Sequence, residues 1–262
     1  MIYPFDFHIH TDFCDGKDAA EDIVKAAIDK GLKTIGFSSH SYTPFDSDYC
    51  MNEQDTKDYL AQIKLLKEKY ADKIEIFCGI EKDYFSDTCT DEFDYVIGSV
   101  HYVKKGEKYL SVDLSKDDFI NNVNEYYNGD YFAFVEDYYD TLANIVNKTN
   151  CNIIGHFDII TKFNENNSLF NENDERYKTF AFDCVDKLIK NDVIFEVNTG
   201  AMSRGYKTNP YPAEFILKHI AKKGGKVCLS SDAHSKDSLC FDFENQFKKL
   251  KELGFEKIVT IK

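Results

Sequence analysis

The sequence predicts an α/β chain folded as a closed or distorted parallel barrel, and three observations predict it. Short apolar runs alternate with amphipathic helical stretches along the chain, the pattern of repeated βα units. Seven or eight such units fit in 262 residues, with neither GxGxxG nor GxxxxGK[ST] to indicate an open nucleotide-binding sheet. Six of the seven histidines sit at the ends of the apolar runs. A parallel barrel gathers residues from the C-terminal ends of its strands into one mouth.

Taken in order, the candidate strands are about 3–8, 33–39, 73–80, 94–100, 152–156, 193–198 and 226–231, with a last one near 256–261. Helical patterns lie between them. Ala19–Lys30 has Asp18 and Glu21 in capping-box spacing, apolar Ile23, Ala27 and Ile28, and Gly31 as its stop. Glu53–Tyr70 places Leu60, Ile63 and Leu66 on one face, and Tyr177–Lys190 and Ala213–Lys223 follow the same logic. Residues 104–150 are less regular, with two helices at about 116–128 and 131–148 and no clear strand between them. Asn164–Glu175 reads as an exposed loop. No Gly/Ser/Pro linker interrupts the chain, so residues 1–262 are expected to form a single domain.

Composition narrows the function classes. With 43% hydrophobic residues, 22 Phe and 17 Tyr, the chain can bury a large core. The balance of 32 Lys+Arg against 46 Asp+Glu gives a net charge of −14. That argues against long nucleic acid and anionic membrane as partners, because phosphate contacts need cationic surface. A small phosphorylated substrate is compatible, since bound metal supplies local positive charge. No stretch approaches the roughly 20 apolar residues of a membrane span. The eight cysteines form no CxxC pair, and the N-terminus has neither a basic segment nor an apolar leader. A soluble cytoplasmic protein with reduced thiols is expected.

The strand ends carry the chemistry. His8 and His10, at i and i+2 on an extended segment, point to one face and can chelate one ion. His40, Glu81, His101, His156, Asp232 and His234 all follow strand-like runs. Imidazoles and carboxylates gathered in one mouth bind divalent metal, which points to a multinuclear metallohydrolase. Asp15, in Asp12-Phe-Cys-Asp15-Gly16, is either a turn residue or a ligand. Asp6 is expected to hold an imidazole N–H, and Asp158 to do the same for His156. His219 falls mid-helix and is read as solvent-facing with no role. Only two arginines stand against 30 lysines. Arg204, in a Gly-bounded loop after Val193–Asn198, suggests bidentate phosphate recognition, whereas Arg176 reads as a surface residue.

Together His8-Ile-His10, Asp15-Gly16, Ser39-His40, Gly79-Ile-Glu81, Gly98-Ser-Val-His101, Gly155-His156-Phe-Asp158 and Ser231-Asp232-Ala-His234 resemble the polymerase and histidinol phosphatase (PHP) family. Within it the chain looks most like the stand-alone histidinol-phosphate phosphatases, a branch that Val197-Asn-Thr-Gly200-Ala-Met-Ser-Arg204-Gly also fits. The resemblance implies a distorted (β/α)7 TIM-like barrel with two to three divalent ions of Zn, Mn or Fe. It implies a first ion held by His8, His10, Glu81 and Asp232, a second by Glu81, His101 and His156, and a third by Asp15, His40 and His234. It also implies a basic residue after Gly155-His156-Phe-Asp158, for which Lys162 is the candidate phosphate contact beside Arg204.

The expected reaction is hydrolysis of L-histidinol phosphate to L-histidinol and phosphate by a metal-bound hydroxide. Glu81 bridges two ions, and Asp232 or His234 protonates the leaving group. Asp46, Asp48, Tyr42, Tyr102 and Glu165 are candidates for the substrate's cationic end. The rival substrates are a nucleotide, a short oligonucleotide or a phosphotyrosyl peptide. The rival chemistry is C–N hydrolysis on an amidohydrolase-like barrel, which would normally offer a bridging lysine. The rival class is a non-catalytic metal-binding regulatory module, in which some ligand position would be lost.

Overall fold

The computed structural model describes residues 4–256 and 258–260. The chain order begins β1 (Phe5–Asp6), α1 (Ala20–Asp29), β2 (Thr34–Phe37), α2 (Glu53–Lys69), β3 (Glu75–Asp83) and β4 (Tyr95–Ser99). A hairpin of β5 (Tyr102–Lys105) and β6 (Lys108–Ser111) follows, then α3 (Lys116–Tyr127), α4 (Tyr131–Leu142), α5 (Ile145–Thr149) and β7 (Ile153–Ile154). The last part holds α6 (Glu175–Leu188), β8 (Ile194–Asn198), α7 (Gly200–Ser203), α8 (Glu214–Lys222), β9 (Lys226–Ser230) and α9 (Phe243–Glu252).

Seven strands pair in parallel in the order β1-β2-β3-β4-β7-β8-β9. Closure comes from the residues just beyond β1 and β9. Ile9 and Ala233 form a parallel bridge, with His10 N donating to Ala233 O at 2.9 Å and Ala233 N to His8 O at 3.1 Å. The two edges therefore meet at the strand C-termini, and the seven-stranded distorted barrel is as expected.

Alternation along the strands fills the interior. Phe7, Tyr95, Ile97, Ile153 and Cys228 form a small apolar cluster inside the barrel, separate from the larger core between strands and helices. Tyr95 reaches across this space to donate to Phe7 O at 2.6 Å, with Phe37 O at 3.0 Å. Its ring lies against Gly79 and Gly36. A Cβ on Gly79 would stand 2.2 Å from Tyr95 Cζ, so glycine is required for that approach.

Three local expectations need correction. The hairpin β5–β6, ahead of the two helices expected at about 116–128 and 131–148, is not among the candidate strands, and Gly106 at φ +60° makes its turn. The helix expected over 131–148 divides at Ala143–Asn144, where the Asn144 side chain donates back to Asp140 O at 2.9 Å. Helix α1 starts from Ala19 without a side-chain cap. Asp18 instead accepts from Lys236 N, and Glu21 bonds Lys69 and Tyr70. The strand near 256–261 falls partly outside the described residues, since 257 and 261 are not among them; Ile258 makes one parallel bridge, to Val227. By contrast, Asn52 and Asp55 cap α2 reciprocally, and Gly31 ends α1 with φ +79°.

Candidate metal centre

Six of the seven barrel strands deliver one or two polar groups each to a common point at their C-termini. His8 and His10 follow β1, His40 follows β2, Glu81 lies on β3, His101 follows β4, His156 follows β7, and Asp232 and His234 follow β9. Asp15 comes from the turn before α1, where Cys14 N and Gly16 N both donate to Thr11 O. A Cβ on Gly16 would meet Thr11 N at 2.6 Å, so this turn closes only with glycine there.

Glu81 stands at the centre, and its two oxygens face different histidines. Oε2 lies 2.9 Å from His40 Nδ1, 3.2 Å from His8 Nε2 and 3.6 Å from His10 Nε2. Oε1 lies 2.9 Å from His156 Nε2 and 3.5 Å from His101 Nε2, and accepts from Ser99 Oγ at 2.6 Å. Asp232 Oδ1 is 3.2 Å from His10 Nε2 and 3.7 Å from His8 Nε2. Asp15 reaches His234 Nε2 at 3.1 Å and His40 Nε2 at 3.6 Å. Three sets of donor atoms, each within 4.8 Å of one another, are His10/Asp15/His40/His234, His8/His10/Asp232 and His40/Glu81/His101.

The electrostatics are those of a site made for cations. Burial alone would raise the Glu81 carboxyl, but the imidazoles of His40, His8 and His101 hold it well below the usual carboxylate range. Burial is likewise outweighed at Asp232, which Arg204 and His8 keep well below that range. Burial, with His234 and His40 beside it, pulls His10 down to about 3, leaving a neutral ring with a free lone pair. His8 Nε2, His10 Nε2 and Glu81 Oε2 are buried without a hydrogen-bond partner. Buried polar atoms are seldom left so, and neighbouring imidazole and carboxylate lone pairs aimed at one point suit a divalent ion. The residues present therefore fit a metal centre.

Around the cluster opens a cavity of about 440 Å³. Arg204, Lys162, Asp46, Asp48 and Tyr102 line it; Tyr42 and Glu165 do not. Glu165 bonds Thr208 instead. Arg204 is fixed by Asp232, with Nη2 3.0 Å from Oδ2 and Nη1 3.0 Å from the carbonyl, and its Nη1 stands 2.9 Å from His234 Nδ1. Lys162 donates to Asp113 O at 2.7 Å and to its carboxylate at 3.2 Å. The second arginine, Arg176, stacks on Phe132 at 3.9 Å on the outer surface.

Three assignments change. Asp6 touches no imidazole; its carboxylate accepts from Ser231 N and Oγ and Cys240 N, and from the backbone N of His8. Asp158 accepts from Ala213 N, and no hydrogen bond joins it to the His156 ring. His219 is not solvent-facing: it stacks on Phe182 at 4.2 Å and pairs with Asp186 at 2.8 Å. The groups that do hold imidazole N–H atoms are Glu196 on β8, 2.6 Å from His8 Nδ1, and Asp83 on β3, 3.3 Å from His101 Nδ1. Both had a signal. Asp83 shares the Glu81 face at i+2, and Glu196 interrupts the apolar run Ile194–Asn198.

A family model for the PHP domain matches residues 6–200. The chain belongs to the PHP domain family. Among its relatives is the histidinol-phosphatase of Bacillus subtilis, 25% identical over 263 residues, which cover 91% of this chain and 96% of that one. Two solved structures share the fold. The hisK protein of Listeria monocytogenes superposes with a TM-score of 0.78 at 19% identity over 92% of this chain and 99% of that one. The histidinol phosphate phosphatase of Lactococcus lactis, crystallised with zinc, L-histidinol and phosphate, gives 0.72 at 23% identity over 98% and 96%. Residues Asp232 and His234 lie beyond the span of the family model, yet the fold brings them beside His8 and His10.

Proposed function

We propose that this chain is a metal-dependent phosphatase that hydrolyses L-histidinol phosphate to L-histidinol and inorganic phosphate. The observation that carries the reading is the filled set of donors around Glu81, with buried lone pairs left unpartnered, at the floor of an open cavity. Near-full-length alignment with histidinol-phosphatases supports the substrate. In this reading a single domain spans 1–262, and two to three ions are held by His8, His10, Glu81 and Asp232; by Glu81, His101 and His156; and by Asp15, His40 and His234. Zinc is the choice favoured by the lactococcal relative. Bound divalent ions would lower the pKa of water to about 7 and neutralise phosphoryl charge. Eight unpaired cysteines suit a reducing, cytoplasmic location. Among the described residues no helix is long and apolar enough to cross a membrane.

The side chains divide the remaining work. Arg204 has five N–H donors, and its contacts to Asp232 and His234 leave others to take a phosphoryl oxygen. Lys162, anchored by Asp113, adds charge on the same cavity wall. Asp46, held by Tyr102 Oη at 2.7 Å, and Asp48 give the cavity an acidic side that matches a cationic amine or imidazole. Of the two candidates for passing a proton to the alcohol oxygen as the P–O bond breaks, Asp232 and His234, this reading favours His234, because Asp232 is held ionised beside Arg204.

The test is phosphate release by purified, metal-analysed protein from L-histidinol phosphate, p-nitrophenyl phosphate and several mononucleotides. A kcat/KM for histidinol phosphate at least about a hundredfold above the others is expected, an amount that a few well-placed polar contacts supply. Turnover confined to another phosphoester would overturn the substrate, and metal-replete protein inert on all of them would overturn the reaction.

A further inference from the structure

We propose that Glu196 is the positioning residue of the metal centre: it holds the His8 ring by Nδ1 so that Nε2 faces the ions, and ties that ring to the loop carrying Arg204. The proposal rests on the reading of the cluster as a metal site.

Glu196 is fully buried in the middle of β8 and has no lysine or arginine partner among its hydrogen bonds. All of its partners are donors. Oε1 takes His8 Nδ1 at 2.6 Å and the Ser230 hydroxyl; Oε2 takes His156 N at 2.8 Å and Asn198 Nδ2 at 2.9 Å. A carboxylate only accepts, so His8 Nδ1 must carry hydrogen. In the neutral ring that a metal requires, the lone pair is then on Nε2, which is the atom left without a partner beside Glu81 and Asp232. Asn198 extends the chain of bonds. With its Nδ2 on Glu196, its Oδ1 accepts from Gly200 N at 2.8 Å, and Gly200 O accepts from Arg204 N at 3.1 Å. One carboxylate thus joins His8, the backbone of His156 and the loop of Arg204.

This wiring makes the group hard to replace. Glutamine offers one acceptor and one amide donor where four donors converge. If its amide faces His8, the ring must accept at Nδ1, which moves the proton to Nε2 and removes the lone pair from the ions. If it faces the other way, His156 N–H and Asn198 lose their acceptor. Partners of this kind tune metal affinity by about 10–100-fold.

The experiment is zinc titration of wild type and Glu196→Gln by competition with a chelator, alongside thermal unfolding of the metal-stripped proteins. The expected result is one equivalent of zinc bound about 10–100-fold more weakly in Glu196→Gln, with the other equivalents as in wild type. A purely structural glutamate would instead lower the unfolding temperature of metal-free protein and leave zinc affinity within threefold, or weaken every equivalent alike; either result overturns the proposal. If wild type itself takes up no zinc, the metal-site reading falls and this inference with it. Should Glu196→Gln not fold, Glu196→Asp keeps the charge but withdraws it from His8, and the same selective loss is expected; unchanged affinity there overturns the proposal.

Discussion

Phe7, Tyr95, Ile97, Ile153 and Cys228 fill one level of the barrel interior with apolar packing, while His8, Glu81, Glu196 and Asp232, just as deeply buried, fill the level at the strand C-termini with ionisable groups. The same alternation produces both levels. Along β8, Ile194 packs against the apolar cluster and Glu196 belongs to the polar one; along β9, Cys228 and Ser230 divide in the same way. The apolar level is stabilised by area removed from water and needs nothing from outside. The polar level bears the cost of buried charge, and its unpartnered atoms are donors that could hold an ion. One half of the interior is apolar packing, and the other is a cluster of buried ligand atoms.

The sharpest way to break the comparison is at Glu81, the group shared by most of the polar level. Glu81→Ala should lower kcat by about 10²–10³-fold or more and reduce metal content measured on purified protein. Unchanged metal content and rate would remove Glu81 from the centre. Next comes the apolar level. Gly79→Ala drives a Cβ into the Tyr95 ring and should cost roughly 1–3 kcal/mol in thermal or urea unfolding. Full stability would mean that Tyr95 is not wedged as described.

Arg204→Ala should lower kcat/KM for a phosphomonoester by about ten- to a hundredfold, the value of one hydrogen-bonded charge at roughly 1.5–3 kcal/mol. The split of that loss between KM and kcat reports whether the contact tightens in the transition state. His219→Ala lies outside both levels. It should leave kcat/KM unchanged while costing about 1 kcal/mol in unfolding, because it removes the stack on Phe182. Smallest is a labelling difference. Burial pushes the thiols of Cys78 up to about 12 and Cys151 up to about 11, whereas Cys89 is exposed, so a thiol reagent at pH 8 should modify Cys89 well before either.

Much of this arrangement is legible in the sequence because strand and helix periods differ and because polar residues at the ends of apolar runs stand out. His8, His10, His40, Glu81, His101, His156, Asp232 and His234 are placed by that pattern alone. What escapes is set by local geometry. The hairpin β5–β6 is disguised by Lys104, Lys105 and Lys108, which flank its turn and hide the inward Val103 and Leu110. The break at Asn144 depends on one side chain competing for Asp140 O. Asp6 and Asp158 sit in the right neighbourhoods, but spacing along a chain does not tell whether a carboxylate turns toward a ring or toward backbone N–H groups. Glu196 is the converse case. A single acid in an apolar run is visible, yet its partners lie on other strands.

The closing contact of the barrel joins chain positions very far apart: Asp6 and Ser231, 225 positions distant, are hydrogen-bonded beside the Ile9–Ala233 bridge. A ribosome emits the first histidines long before Asp232 and His234 exist. While the chain is being made, His8 and His10 are a bare pair without the rest of the cluster. The full cluster appears only when the last strand docks, so the capacity to hold an ion there belongs to the finished fold.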